Sequence, residues 1–289
     1  MLEGFGLCFP AMVTPLREDG SLDELSLLKL LALFEAAGCA GVVIGGTNGE
    51  GGLLSAVLKR DAIKIASKGR GKLELIFAIT STAIDEAIWS ARQAEKFGAA
   101  AVMVSPPRIA GLSDDDVLRW YSKLIEATEL GVIAYNFPRQ TGYEFTAELL
   151  ARLQNVGLKG VKDSSKKEEN LAEFPALDWR FVGDESLLPQ AAANGWNGTI
   201  SGAANVIPQF MSRWANEPQA LSPFLDALRR LKSMRQPATY KGVLNKFGFI
   251  ESTTMACPSI PASEQEISDA LELLEDSFGM QPGIPFLPL

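Results

Sequence analysis

With 289 residues, 47% of them hydrophobic and 21% charged, the chain has enough apolar material for a sizeable core and is not a disordered segment. A formal net charge of -8 repels a phosphate backbone and no Lys/Arg run forms a basic stripe, so nucleic acid is excluded as a partner. No stretch is apolar long enough for a bilayer, and the start at Met1 shows no basic-then-apolar leader, so the expectation is a soluble, cytoplasmic protein with no membrane association.

In chain order, short runs rich in Val, Ile, Ala and Gly alternate with amphipathic stretches of helical length, the pattern of a parallel sheet with crossover helices. The first predicted strand, Cys8 to Val13, precedes a helix over Leu22 to Ala37, with Ser21 as a candidate N-cap ahead of Glu24. Gly41 to Gly45 leads to a helix over Ser55 to Ser67, and Leu75 to Ile79 leads to one over Asp85 to Phe97. Ala100 to Val104 is followed by Asp114 to Ala127, where Ser113 and three aspartates suit a helix start. Strands over Val132 to Asn136, Gly157 to Lys162, Arg180 to Val182 and Gly198 to Ser201 pair with helices over Thr146 to Leu153, Lys166 to Phe174, Leu187 to Ala193 and Val206 to Ala215.

Eight such units favour a closed (β/α)8 TIM barrel over residues 1–218, with a doubly wound open sheet as the rival. Leu221 to Arg235, Pro237 to Phe247 and Ser263 to Phe278 read as three helices without strands, a C-terminal helical extension over 219–289 that packs on the barrel and ends in the Pro-rich tail Pro282 to Leu289. Cys8, Cys39 and Cys257 are widely spaced, with no Cys-x-x-Cys, and read as reduced core residues. Histidine is absent, so any chemistry must run on lysine, tyrosine, hydroxyls, carboxylates or backbone groups.

In a barrel the functional groups come from the C-terminal ends of the strands. Strand two ends in Gly46-Thr47-Asn48-Gly49-Glu50, a turn whose N–H groups and polar side chains suit a carboxylate and whose alternative is a plain tight turn; it lacks the glycine spacing of a dinucleotide fingerprint. Strand five ends in Tyr135-Asn136-Phe137-Pro138, where the phenol is either a proton carrier or structural. Strand six ends in Gly160-Val161-Lys162-Asp163. Burying an ammonium is costly, and desolvation favours the neutral amine, which adds to a ketone to give an imine. The alternative is a lysine that reaches solvent and pairs with Asp163 or Glu185.

Together these three segments resemble the dihydrodipicolinate synthase / N-acetylneuraminate lyase superfamily over nearly the whole chain. Val13-Thr14-Pro15, Asp19-Gly20, Val104-Ser105-Pro106 and Gly198 to Asn205 add to the match. The resemblance implies a barrel with C-terminal helices, a homotetramer (dimer of dimers) or homodimer, and imine chemistry on a small 2-oxo acid without metal or other cofactor. It makes Lys162 the nucleophile and Tyr135 the acid/base, with Thr47 and the backbone around Gly46, Asn48 and Gly49 holding the substrate carboxylate. Ser201 and Gly202, at the end of strand eight, join the substrate-binding surface.

Three departures bear on the substrate. Asn48 replaces a second Thr or Ser. Pro106-Pro107-Arg108 stands where synthases carry a tyrosine that completes a proton relay in a neighbouring subunit. Gln140 occupies the place of their carboxylate-gripping arginine, with Arg139 one step off. These changes point to an aldolase or dehydratase of pyruvate or a 2-keto-3-deoxy sugar acid. The alternatives are 4-hydroxy-tetrahydrodipicolinate synthase, acting on pyruvate plus aspartate semialdehyde, and a catalytically altered 2-oxo-acid binder. Arg108 is a candidate contact to the substrate's distal end or else a solvated loop residue. A metal-dependent aldolase would need an all-oxygen site, for which Asp163, Asp184 and Glu185 are available.

Overall fold

Runs such as Gly41-Val-Val-Ile44 and Ala101-Val-Met-Val104 are buried at every position, as strands covered on both faces must be. The computed structural model describes Leu2 and residues 4–282. Its strands are β1 (Leu7–Pro10), β2 (Gly41–Ile44), β3 (Glu74–Ile79), β4 (Ala101–Val104), β5 (Gly131–Asn136), β6 (Gly160–Asp163), β7 (Trp179–Val182) and β8 (Gly198–Ser201). They are parallel, in the order β1-β8-β7-β6-β5-β4-β3-β2. A bridge between Ala11 and Val43, with Met12 N–H donating to Val43 O at 3.0 Å, joins the first strand to the second and closes the TIM barrel. Asn205 stitches the neighbouring β1–β8 seam: its Nδ2 donates to Ala11 O and its Oδ1 accepts from Val13 N–H, both at 2.9 Å.

Alternation along the strands separates two cores. Phe9, Val43, Ile76, Met103, Ile133, Tyr135, Phe181 and Ile200 fill the interior, while residues such as Val42, Val102, Val132 and Val161 face the helices. The same parity sends Lys162 inward and Asp163 outward.

The helices around the barrel are α1 (Glu24–Ala36), α2 (Ala56–Gly69), α3 (Ile84–Lys96), α4 (Asp114–Glu126), α5 (Pro138–Thr141), α6 (Ala147–Asn155), α7 (Asn170–Glu173), α8 (Leu188–Ala193) and α9 (Pro208–Asn216). Ser113 caps as expected, in a capping box with Asp116, and Ser55 caps α2. The cap of α1 is Asp23, not Ser21, whose hydroxyl donates to Asp19 instead. The helix expected over Lys166 to Phe174 shrinks to α7, because Ser165 is tied to Asp163 and Lys166 takes a left-handed φ of 69°. Cys8 and Cys39 are buried, but Cys257 is exposed on the loop before the last helix, contrary to its reading as core.

The extension comprises α10 (Leu225–Ser233), α11 (Ala238–Lys246) and α12 (Glu264–Phe278). The helix expected from Leu221 starts only at Leu225, because Pro223 has no N–H to continue an α-helical ladder and Pro218–Phe224 is a 3-10 stretch. Phe278 of α12 packs on Phe210 of α9 at 5.1 Å and on Phe224 at 5.7 Å, fastening the extension to the barrel. Most of the expected Pro-rich tail, 283–289, lies outside the described residues. Among the described residues no helix is long and apolar enough to cross a membrane.

Candidate active site

The β5–β6 register sets Tyr135 directly opposite Lys162. Both point into the barrel and are nearly buried, 4% and 5% exposed. The Lys162 amine lies 4.5 Å from the centroid of the Tyr135 ring, a cation–π distance. No carboxylate of the described residues forms an ion pair with it. Asp163 is turned outward, where it accepts from Asn136, Ser165 and Asn170; burial pushes its carboxyl above the usual range, and these hydrogen bonds offset part of that rise. Glu185 is engaged by Lys232 at 2.5 Å and by the Ser201 hydroxyl at 2.6 Å. Both pairings that sequence offered Lys162 are therefore taken by other residues.

The Tyr135 hydroxyl lies 3.3 Å from Thr47 Oγ1, which donates to Gln140 Oε1 at 2.7 Å. Since a threonine hydroxyl has one proton, Tyr135 is the donor to Thr47 in this chain. The chain ends on an amide, which can accept the hydrogen bond but is a poor carrier of the proton.

These groups open on a cavity of about 730 Å³ at the C-terminal end of the strands, lined by Lys162, Tyr135, Thr47, Asn48, Arg139 and Gly202 among the expected residues. Arg139 rests over the Phe137 ring at 5.7 Å and has no carboxylate partner among the described residues. Gly202 leaves room where a Cβ would stand 2.5 Å from Asn48 Nδ2 and 3.0 Å from Gln236 Oε1. Gly46 and Gly49 shape the turn rather than line the cavity: Gly46 O accepts from Gly51 N–H at 2.9 Å and Gly49 O from the Thr14 hydroxyl at 2.7 Å. Ser201 is fully buried behind the wall. Arg108 stands outside the cavity, beside Gly52 and Thr82.

Sequence reasoning had no binding role for Ser164, Gly183, Lys232 or Gln236, all of which line the cavity. Lys232, on α10, also bonds Asp184 at 2.6 Å. Burial alone would raise the two carboxyls, yet Lys232, together with hydrogen bonds from Ser186 to Asp184 and from Ser201 to Glu185, outweighs it and holds both below their ordinary range. Burial would likewise lower the Lys232 ammonium, but Glu185 and Asp184 lift it above the usual lysine value. Strand-end reading finds Asp184 and Glu185, at the end of β7; nothing local marks Lys232. Among the described residues no three carboxylates or thiols gather as metal ligands.

A 4-hydroxy-tetrahydrodipicolinate synthase of Chlorobium limicola is 30% identical over 271 residues, covering 88% of this chain and 91% of that protein. One of Archaeoglobus fulgidus is 33% identical over 216 residues, 73% of each chain. Among solved structures, the chloride-inhibited dihydrodipicolinate synthase of Acinetobacter baumannii complexed with pyruvate superposes with a TM-score of 0.87 at 26% identity, over 96% of this chain and 99% of that one. The model of the dihydrodipicolinate synthetase family matches residues 4–276. The chain belongs to that family, whose enzymes are Schiff-base lyases and aldolases.

Proposed function

We propose that the protein is a Schiff-base-forming lyase or aldolase acting on pyruvate or a 2-keto-3-deoxy sugar acid through Lys162. The observation that carries this reading is the buried Lys162 amine, without a carboxylate partner among the described residues, set over Tyr135 in one cavity with Thr47 and Asn48. The bound pyruvate of the Acinetobacter baumannii synthase supports a 2-oxo acid as the group that enters.

In this reading the substrate carboxylate sits at the Thr47-Asn48 turn and its C2 carbonyl faces the amine. The free-base amine adds to C2, one proton passes from nitrogen to the carbonyl oxygen, a second comes from solvent, and water leaves, giving a protonated imine. That cation is an electron sink. Loss of a C3 proton gives an enamine able to attack an aldehyde. In the reverse sense the C3–C4 bond breaks, its electron pair passes toward the imine nitrogen, and an aldehyde departs. Tyr135 gives and takes the protons at the reacting oxygen.

Gln140 is occupied by Thr47, so it does not supply the charged grip that a semialdehyde carboxylate receives in the synthases. This favours a hydroxylated keto acid, with Arg139 available to its distal end. Activity as a 4-hydroxy-tetrahydrodipicolinate synthase is the second reading, favoured by the activity for which relatives at 30% and 33% identity are named. Assembly as a homotetramer or homodimer belongs to the proposal and is supported by family membership.

Borohydride reduction in the presence of pyruvate, followed by peptide mass spectrometry, tests the reading. An adduct on Lys162 is expected. No adduct, or one that persists in Lys162→Ala, sinks it. Trapping without turnover on any 2-keto-3-deoxy acid or pyruvate–aldehyde pair would leave a 2-oxo-acid binder in its place.

A further inference from the structure

The turn from Gly46 to Gly51 is held at a residue that does not touch the cavity. Glu50 N–H donates to Thr47 O at 3.0 Å, and Glu50 has a left-handed φ of 57°, a conformation that a side chain with a Cβ keeps only when its surroundings impose it. What imposes it comes from the C-terminal extension. The Glu50 carboxylate meets Lys241 of α11 at 2.7 Å, with the two side chains 2% and 0% exposed. Its other oxygen accepts from Ala256 N–H at 2.7 Å, and Lys241 also donates to Thr254 O at 2.7 Å. Two charges out of water with such geometry are held in place, because either one alone would be an uncompensated buried ion.

We propose that Lys241 is a positioning residue that acts through Glu50 to fix the Thr47-Asn48 turn in the shape that receives a substrate carboxylate. The extension thereby becomes part of the binding machinery without contributing the group that binds. Breaking the pair frees Glu50 to leave its left-handed conformation, and the N–H groups around Asn48 then lose their common direction. This inference rests on the reading of that turn as the seat of the 2-oxo acid.

The test titrates pyruvate against borohydride-trapped adduct in wild type, Lys241→Met, Glu50→Gln and Lys241→Arg. Half-saturating pyruvate is expected to rise at least about tenfold in the first two variants, with adduct at saturation kept within about twofold, as a misplaced binding group predicts. Lys241→Arg, which keeps the charge, is expected to restore binding to within about threefold. A lowered melting temperature with unchanged half-saturation overturns the proposal. If the charge-breaking variants do not fold, hydrogen exchange on the wild type decides: the Glu50, Gly51 and Ala256 amides should slow together when pyruvate binds, and independent behaviour overturns it. Absence of any wild-type adduct instead sinks the Schiff-base reading, whereas a wild-type adduct with unmoved half-saturation in Lys241→Met sinks only this inference.

Discussion

Tyr135 and Lys162 face each other across adjacent strands, and the amine lies over the phenol ring at 4.5 Å rather than at its hydroxyl. The amine rests against the ring while the hydroxyl is bonded to Thr47. Tyr135→Phe keeps the ring and removes the proton carrier. Imine trapping is therefore expected to survive while turnover falls by roughly two to four orders of magnitude. Single-turnover kinetics beside adduct yield separates the two effects, and loss of both would assign Tyr135 to imine formation itself.

Lys162→Ala should abolish turnover and adduct. Removing a buried amine that has no carboxylate partner among the described residues relieves a desolvation cost, so the melting temperature should not fall as it does for an ordinary large-to-small change in a core. Near-normal rates would show that another group is the nucleophile.

Gly183 packs against the Lys162 stem. A Cβ there would lie 2.9 Å from Lys162 Cε and would collide with the Ser164 hydroxyl. Gly183→Ala is expected to lower the rate of imine formation by more than about tenfold by tilting the amine. Ser164→Ala in the same background gives the new methyl space and should recover part of the rate. Equal rates in Gly183→Ala and wild type would mean that the stem has slack.

The Lys232 cluster predicts a pH signature. Asp184 and Glu185 are depressed in the folded protein, so their contribution is present above the unfolded carboxyl range, about pH 4, and is lost as pH falls through the folded values. Lys232 is raised, so its contribution is present below about pH 10.4 and is lost as pH rises through the folded value. In Lys232→Met the two carboxyls remain buried without their cation, and neutral-pH stability should drop by about 3 kcal/mol. Burial then favours their protonated forms, so the variant should gain stability on acidification where the wild type loses it. Denaturant unfolding from pH 3 to 7 distinguishes the two slopes.

The positions of strands β2 to β5 were legible because each is a short apolar run between turn residues; strand-end position offered Tyr135, Lys162 and the Gly46-to-Glu50 turn as candidates, and the family resemblance gave them, with Thr47, their roles. The four-residue α5 was not legible: Pro138-Arg-Gln-Thr141 carries no hydrophobic period, and it is this turn of helix that brings Gln140 back to Thr47. Lys232 and Lys241 were equally hidden. Each sits on an extension helix, and their partners lie 48 and 191 positions away, at Asp184 and Glu50. Such pairings follow from how the extension folds back, which no local spacing records.

The Asn205 stitch and the pairing of Leu7 with Gly198 make the first strand wait for the last. During synthesis the unclosed sheet has two open edges, β1 on one side and the newest strand on the other, until Gly198 to Asn205 has left the ribosome. A chain stopped before that point presents unsatisfied strand edges, so nascent fragments should depend on chaperones, and the enzyme's mouth takes shape only near the end of translation.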